Sequence, residues 1–175
     1  MPPEAKSLPF KPLEKKHVVR LILAFPSAVA GFWLVGLFTI KPHRHSGNGN
    51  LGLLVMPPVA FVYVLFLLAA GAVLVRWLAN RSERFLLALI VLAAAMLALC
   101  CWMEIAFIER LIDRLGGNAT VPDSRIYRYR TLNQYTNTFY FNRWTFSIGF
   151  LSALIGCTGG TLFSRLYAGR KNKNG

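Results

Sequence analysis

The sequence predicts an all-α membrane protein, with four transmembrane helices in a bundle and a mixed or irregular outer loop between the third and fourth. Two observations carry this. Hydrophobic residues make up 55% of the 175 and charged ones 15%, outside the usual balance of a soluble domain. The apolar residues are also gathered into long blocks, with the charges confined to short stretches between them. That is the order expected when lipid is the solvent, because a helix satisfies its own backbone amides in oil.

The segment from residue 1 to 20 reads as a basic cytoplasmic tail. It holds Pro2, Pro3, Pro9 and Pro12 among Lys6, Lys11, Lys15, Lys16 and Arg20, without a sustained helical period. Leu21 to Ile40 is uncharged and, at about 1.5 Å per residue, covers the roughly 30 Å hydrocarbon layer. Ala28-Val29-Ala30 resembles a signal-peptide cleavage site, but the apolar run continues past it to Ile40, which favours an uncleaved anchor. Lys41-Pro42-His43-Arg44-His45 and the Ser/Gly/Asn run after it then reverse the chain.

The second block is Leu51 to Val75, with Pro57-Pro58 expected to mark its first turn or a kink. After the link carrying Arg76, Arg81, Glu83 and Arg84, a third block begins at Phe85 and spans to about residue 107. Its helix is expected to outlast the membrane, because Ile108, Leu111, Ile112 and Leu115 keep an apolar stripe opposite Glu109, Arg110, Asp113 and Arg114. Gly116-Gly117 should stop it. Residues 116–143 form the outer loop, where aromatic and β-branched residues in partial alternation suggest extended segments or a small hairpin. The fourth span, about 146–164, is the least apolar, and its many Gly, Ser and Thr residues place it inside the bundle. The transmembrane domain thus runs from 21 to 167, and 168–175 is a second basic cytoplasmic tail.

Net charge is +13, from 20 Lys and Arg against 7 Asp and Glu. Basic clusters flanking membrane spans account for this excess, so no nucleic-acid partner is expected. Four spans put both ends on one side. Twelve Lys and Arg lie before the first span, in the second link and after residue 164, close to span ends, against eight between the first and second and the third and fourth spans. The positive-inside rule then places both termini in the cytoplasm of a cell membrane, inner or plasma, with the 116–143 loop outside.

Few residues invite a chemical role. Ser152, Gly156 and Gly160 recur every four positions, a helix face stripped of bulk that another helix, of this chain or a partner, can approach closely. Glu104 is the one acidic residue inside or bordering an apolar block. It is either a boundary residue reaching water or Arg110, or an intramembrane polar site. The outer-loop residues Arg125, Tyr127, Arg128, Tyr129, Arg130, Tyr140 and Trp144 suit a membrane interface or a protein contact. His43 and His45 supply two ligands at most, and Cys100, Cys101 and Cys157 lie within apolar blocks, so neither a metal site nor a cofactor is expected. Asn118-Ala119-Thr120 fits the glycosylation pattern but carries no weight alone.

No nucleophile elbow, phosphate loop or metalloprotease helix is present. The expected function is therefore non-catalytic. The partners are the lipid bilayer and either another membrane protein or a second copy, with the chain acting as an accessory subunit or a protective (immunity- or exclusion-type) factor. The alternative is a small oligomeric transporter or channel component using Glu104 and the Ser/Thr/Gly face of the fourth helix. A lipid-acting enzyme ranks last.

Overall fold

The computed structural model describes residues 14–44 and 49–171. Within them the chain forms α1 (Lys15–Phe38), α2 (Gly52–Leu78), α3 (Glu83–Arg114) and α4 (Arg143–Lys171), with one 3-10 turn at Asn137–Phe139 ahead of α4. All four helices are long and apolar enough to cross a membrane, and α4 is the least apolar. α1 packs on α2, α2 on α4, and α4 on α3.

The helix ends follow local chemistry. Ser82 caps α3, its hydroxyl accepting from the Phe85 amide at 3.3 Å, and Glu83 sits in the first turn where the helix dipole favours an anion. At the other end the Gly117 amide donates to Ile112 O and the Gly116 amide to Asp113 O, both at 3.0 Å. Gly116 has φ 82° and Gly117 φ 119°, so the two glycines close α3 as a Schellman motif that a side chain would strain. This is the stop expected from Gly116-Gly117, one residue after the apolar stripe ends.

Two helices run well beyond their predicted ends. α1 begins at Lys15 rather than after Arg20. Lys and Arg are good helix formers, and extending an existing helix over them is much easier than nucleating one. The rest of that predicted tail, residues 1–13, lies outside the described residues. α4 likewise continues past Tyr167 to Lys171, and 172–175 lie outside the described residues. α2 runs through Pro57-Pro58, which fall in its second turn.

The core lies where α1, α2 and α4 meet. Ala28, Phe32, Val35, Met56, Val59, Phe66 and Ala70 are buried. The Phe32 ring lies 5.0 Å from Tyr63 and 5.1 Å from both Phe141 and Phe146, separations typical of favourable aromatic pairs. The outward faces are as apolar as the core. Trp33, Leu54, Val91 and Phe163, one on each helix, are 67%, 76%, 69% and 69% exposed. Such a surface is ruinous in water but suits lipid, and it fits a multi-pass membrane protein.

Candidate functional site

The segment between α3 and α4 was expected to be extended or a hairpin. It is neither: no strand occurs among the described residues, and the chain instead folds as successive turns. The amides of Tyr127, Tyr129 and Thr136 donate to Ser124 O, Ile126 O and Asn133 O at 2.9 to 3.1 Å. Side chains drive this choice. Ser124 Oγ donates to Gly117 O at 2.6 Å and accepts from the Ile126 amide at 3.2 Å. Asn133 Oδ1 accepts from the Tyr135 amide at 2.9 Å, and Thr136 Oγ donates to Thr131 O at 2.6 Å. Short polar side chains that bond their own backbone outcompete a strand ladder.

This cap has a small core of its own, Leu115, Ile126 and Tyr135, packed against Ile40 and Leu111. It is also tied to the α1–α2 connection. The Ile40 amide donates to Gln134 O at 2.9 Å, and the Tyr135 hydroxyl to Arg44 O at 3.3 Å. Asn50 and Asn137 exchange amide hydrogen bonds at 3.0 and 2.7 Å, with Asn137 fully buried. Gly52 leaves room for this pair, because a Cβ there would collide with the Asn137 amide.

Glu104 is 8% exposed and belongs to the joint between the cap and α4. Asn142 Nδ2 donates to both carboxylate oxygens, at 3.0 and 2.8 Å, and to Thr138 O at 2.8 Å. The Oδ1 of the same Asn142 accepts from the Trp144 and Thr145 amides at 2.7 and 3.2 Å. Thr145 Oγ returns a bond by accepting from the Asn142 amide at 3.0 Å. This is a reciprocal capping box, and behind it the Glu104 carboxylate complements the positive end of the α4 dipole. The expected reach toward Arg110 does not occur, since the Arg110 guanidinium bonds Ala106 O on its own helix at 2.9 Å.

The other predicted residues are dispersed. Arg128, Tyr129 and Arg130 stand together on the outside of the cap, Tyr129 being 51% exposed. Arg128 holds φ 58°, a left-handed conformation unusual for a residue with a Cβ, and its guanidinium lies 4.9 Å from the half-buried Tyr127 ring. Arg125 is half-buried, and its amide donates to Leu115 O at 2.9 Å. Tyr140, exposed, and Trp144, half-buried with the Arg143 guanidinium 4.5 Å from its ring, belong to the approach to α4.

Ser152, Gly156 and Gly160 are all exposed, and a Cβ at Gly156 or Gly160 would meet nothing within 4 Å. Their face is therefore not covered by a helix of this chain. The close approach on α4 is instead at Gly149, where a Cβ would strike the Tyr63 hydroxyl, which donates to Phe146 O at 2.6 Å. Thr158 and Thr161 are buried on α4, their hydroxyls bonding the carbonyls four residues back at 2.7 and 2.8 Å.

Sequence reasoning missed Asn50, Asn137 and Asn142. Only Asn142 left a local trace, an Asn three residues ahead of Thr145 at the start of an apolar run. Among the described residues no three His, Cys, Asp or Glu side chains cluster as a metal site would require, and His45 lies outside them. No buried side-chain polar atom among them lacks a hydrogen-bond partner. Comparison with protein-family models, with curated proteins and with solved structures returned no match.

Proposed function

We propose that this chain is a four-span membrane protein with both termini in the cytoplasm, and that it acts without catalysis through contacts with another membrane protein. It serves as an accessory subunit or as a protective factor of the immunity or exclusion type. The observation that carries this reading is the build of the cap. Its polar groups are spent on one another and on the α1–α2 connection, leaving a fixed scaffold from which Arg128, Tyr129 and Arg130 project. Tyr and Arg held by a rigid support are typical anchors of a protein interface, because little side-chain entropy is lost when they dock. The uncovered Ser152/Gly156/Gly160 face of α4 offers a second, intramembrane contact, where small residues allow close helix approach.

A photo-crosslinking amino acid in place of Tyr129 tests this in native membranes. The expected product is one discrete adduct heavier than the monomer, lost when Arg128 and Arg130 are both changed to Ala. Recovery of monomer alone contradicts the reading. The transporter alternative relied on Glu104 as a path-lining group, and the occupation of both its oxygens by Asn142 favours a joint over a path.

A further inference from the structure

A groove of about 640 Å³ opens between α1 and α2 at the end of the molecule opposite the cap. Its apolar walls include Leu23, Ala24 and Ser27 from α1 and Val62, Ala69 and Ala72 from α2. Ala24, Ser27, Ala69 and Ala72 are small, so the two helices leave a trough where bulkier residues would close it. Leu23 and Leu68 line it too, each 65% exposed, so it opens outward, away from the aromatic core. Along α2 the lining runs from Val62 to Ala72, all apolar, about 15 Å at the helical rise, which is half the roughly 30 Å hydrocarbon thickness and thus the depth of one leaflet.

The groove ends in a positive charge, Arg20, with the imidazole of His17 beside it. Desolvation and the nearby Arg76 of α2 push the His17 pKa down, toward the neutral ring, which can still donate a hydrogen bond. The nearby carboxylate, Glu14, is engaged by Lys16 at 2.6 Å and does not line the groove.

An apolar trough one leaflet deep that terminates in a guanidinium with a hydrogen-bonding imidazole beside it is complementary to one amphiphile. We infer that the groove binds an anionic phospholipid, with one acyl chain between α1 and α2 and the phosphate against Arg20 and His17. This rests on the membrane-spanning part of the proposed function and is independent of any protein partner. Anionic headgroups concentrate in the cytoplasmic leaflet, where basic residues at helix ends meet them. The two-point recognition separates this site from generic lipid contact, because chain and headgroup must both fit.

The test is native mass spectrometry of the full-length protein released from detergent with phosphatidylglycerol or phosphatidylcholine of identical chains. One phosphatidylglycerol should be retained at least about tenfold more strongly than phosphatidylcholine. Arg20→Gln combined with His17→Gln should abolish that preference, Arg20→Lys should keep it, and Ala69→Phe should expel both lipids by filling the trough. Inorganic phosphate at millimolar concentration should not displace the bound lipid. Equal retention of the two lipids by the wild-type protein overturns the inference, and so does retention that survives Ala69→Phe. Displacement by phosphate would show a headgroup site without the chain and overturns it as well. The Tyr129 crosslink should be unaffected by the Arg20 and His17 changes, so the two proposals fail separately.

Discussion

The two ends of the molecule hold their helices by different chemistry. At the cap end, side-chain amides do the joining: Asn50 with Asn137, and Asn142 with Glu104 and the first turn of α4. At the opposite end, cations lie on carbonyls and rings. The Arg165 guanidinium reaches from α4 to Leu78 O at 3.2 Å and also bonds Ala79 O and Arg81 O, and the Arg81 guanidinium sits 4.4 Å from the Trp77 ring. Amides donate and accept in fixed directions and lose heavily if a buried partner is removed. A guanidinium on the carbonyl end of a helix is favourable but forgiving, since the carbonyls can turn to water. The cap end should therefore be the brittle one, and it is the end that presents Arg128, Tyr129 and Arg130.

The largest effect should come from Asn142→Ala, which strips the α4 cap and leaves the buried Glu104 carboxylate without its donor. A loss of about 3 kcal/mol is expected, combining a lost cap with an unsatisfied charged group, read as a lower melting temperature in detergent. Asn142→Asp keeps a good capping residue but sets two carboxylates face to face, so it should also be damaging, though less than the Ala variant. Adding Glu104→Gln to it should recover most of the loss, because the Gln amide can donate where Asn142 did. If the Asp and Ala variants melt like the wild type, the joint is not what holds the cap.

A smaller effect, about 1 to 3 kcal/mol, should follow Gly149→Ala, whose added methyl overpacks against Tyr63. Gly156→Ala should not lower the monomer's melting temperature, because nothing lies within 4 Å of its would-be Cβ and Ala is the better helix former. If Gly156→Leu weakens association with a crosslinked partner while sparing monomer stability, the uncovered face of α4 is an interface. At the basic end the loss should be small, Arg165→Gln costing about 0.5 to 1 kcal/mol, the scale of a cation at a helix C-terminus.

The helices were legible because their signals are local. Uncharged runs long enough to span, the apolar stripe from Ile108 to Leu115 and the Gly116-Gly117 stop each sit within a few turns of one another. The cap was not, since the bonds that shape it join residues far apart in the chain, Asn50 to Asn137 and Glu104 to Asn142, and no window of sequence holds both partners. Alternating aromatics suggested a strand, but Ser124, Asn133 and Thr136 turn the backbone on itself first. The periodicity of Ser152, Gly156 and Gly160 was visible, whereas the direction it faces depends on which side of α4 Gly149, Thr158 and Thr161 commit to the interior. Spacing alone does not say that.

The most direct test is cysteine labelling on intact cells, in a background lacking Cys100, Cys101 and Cys157. Tyr129→Cys should react with a membrane-impermeant maleimide added from outside, while Lys16→Cys and Tyr167→Cys should react only after lysis. Labelling of Lys16→Cys from outside, or opposite accessibility of the Lys16 and Tyr167 positions, would contradict a four-span protein that displays its cap at the outer surface.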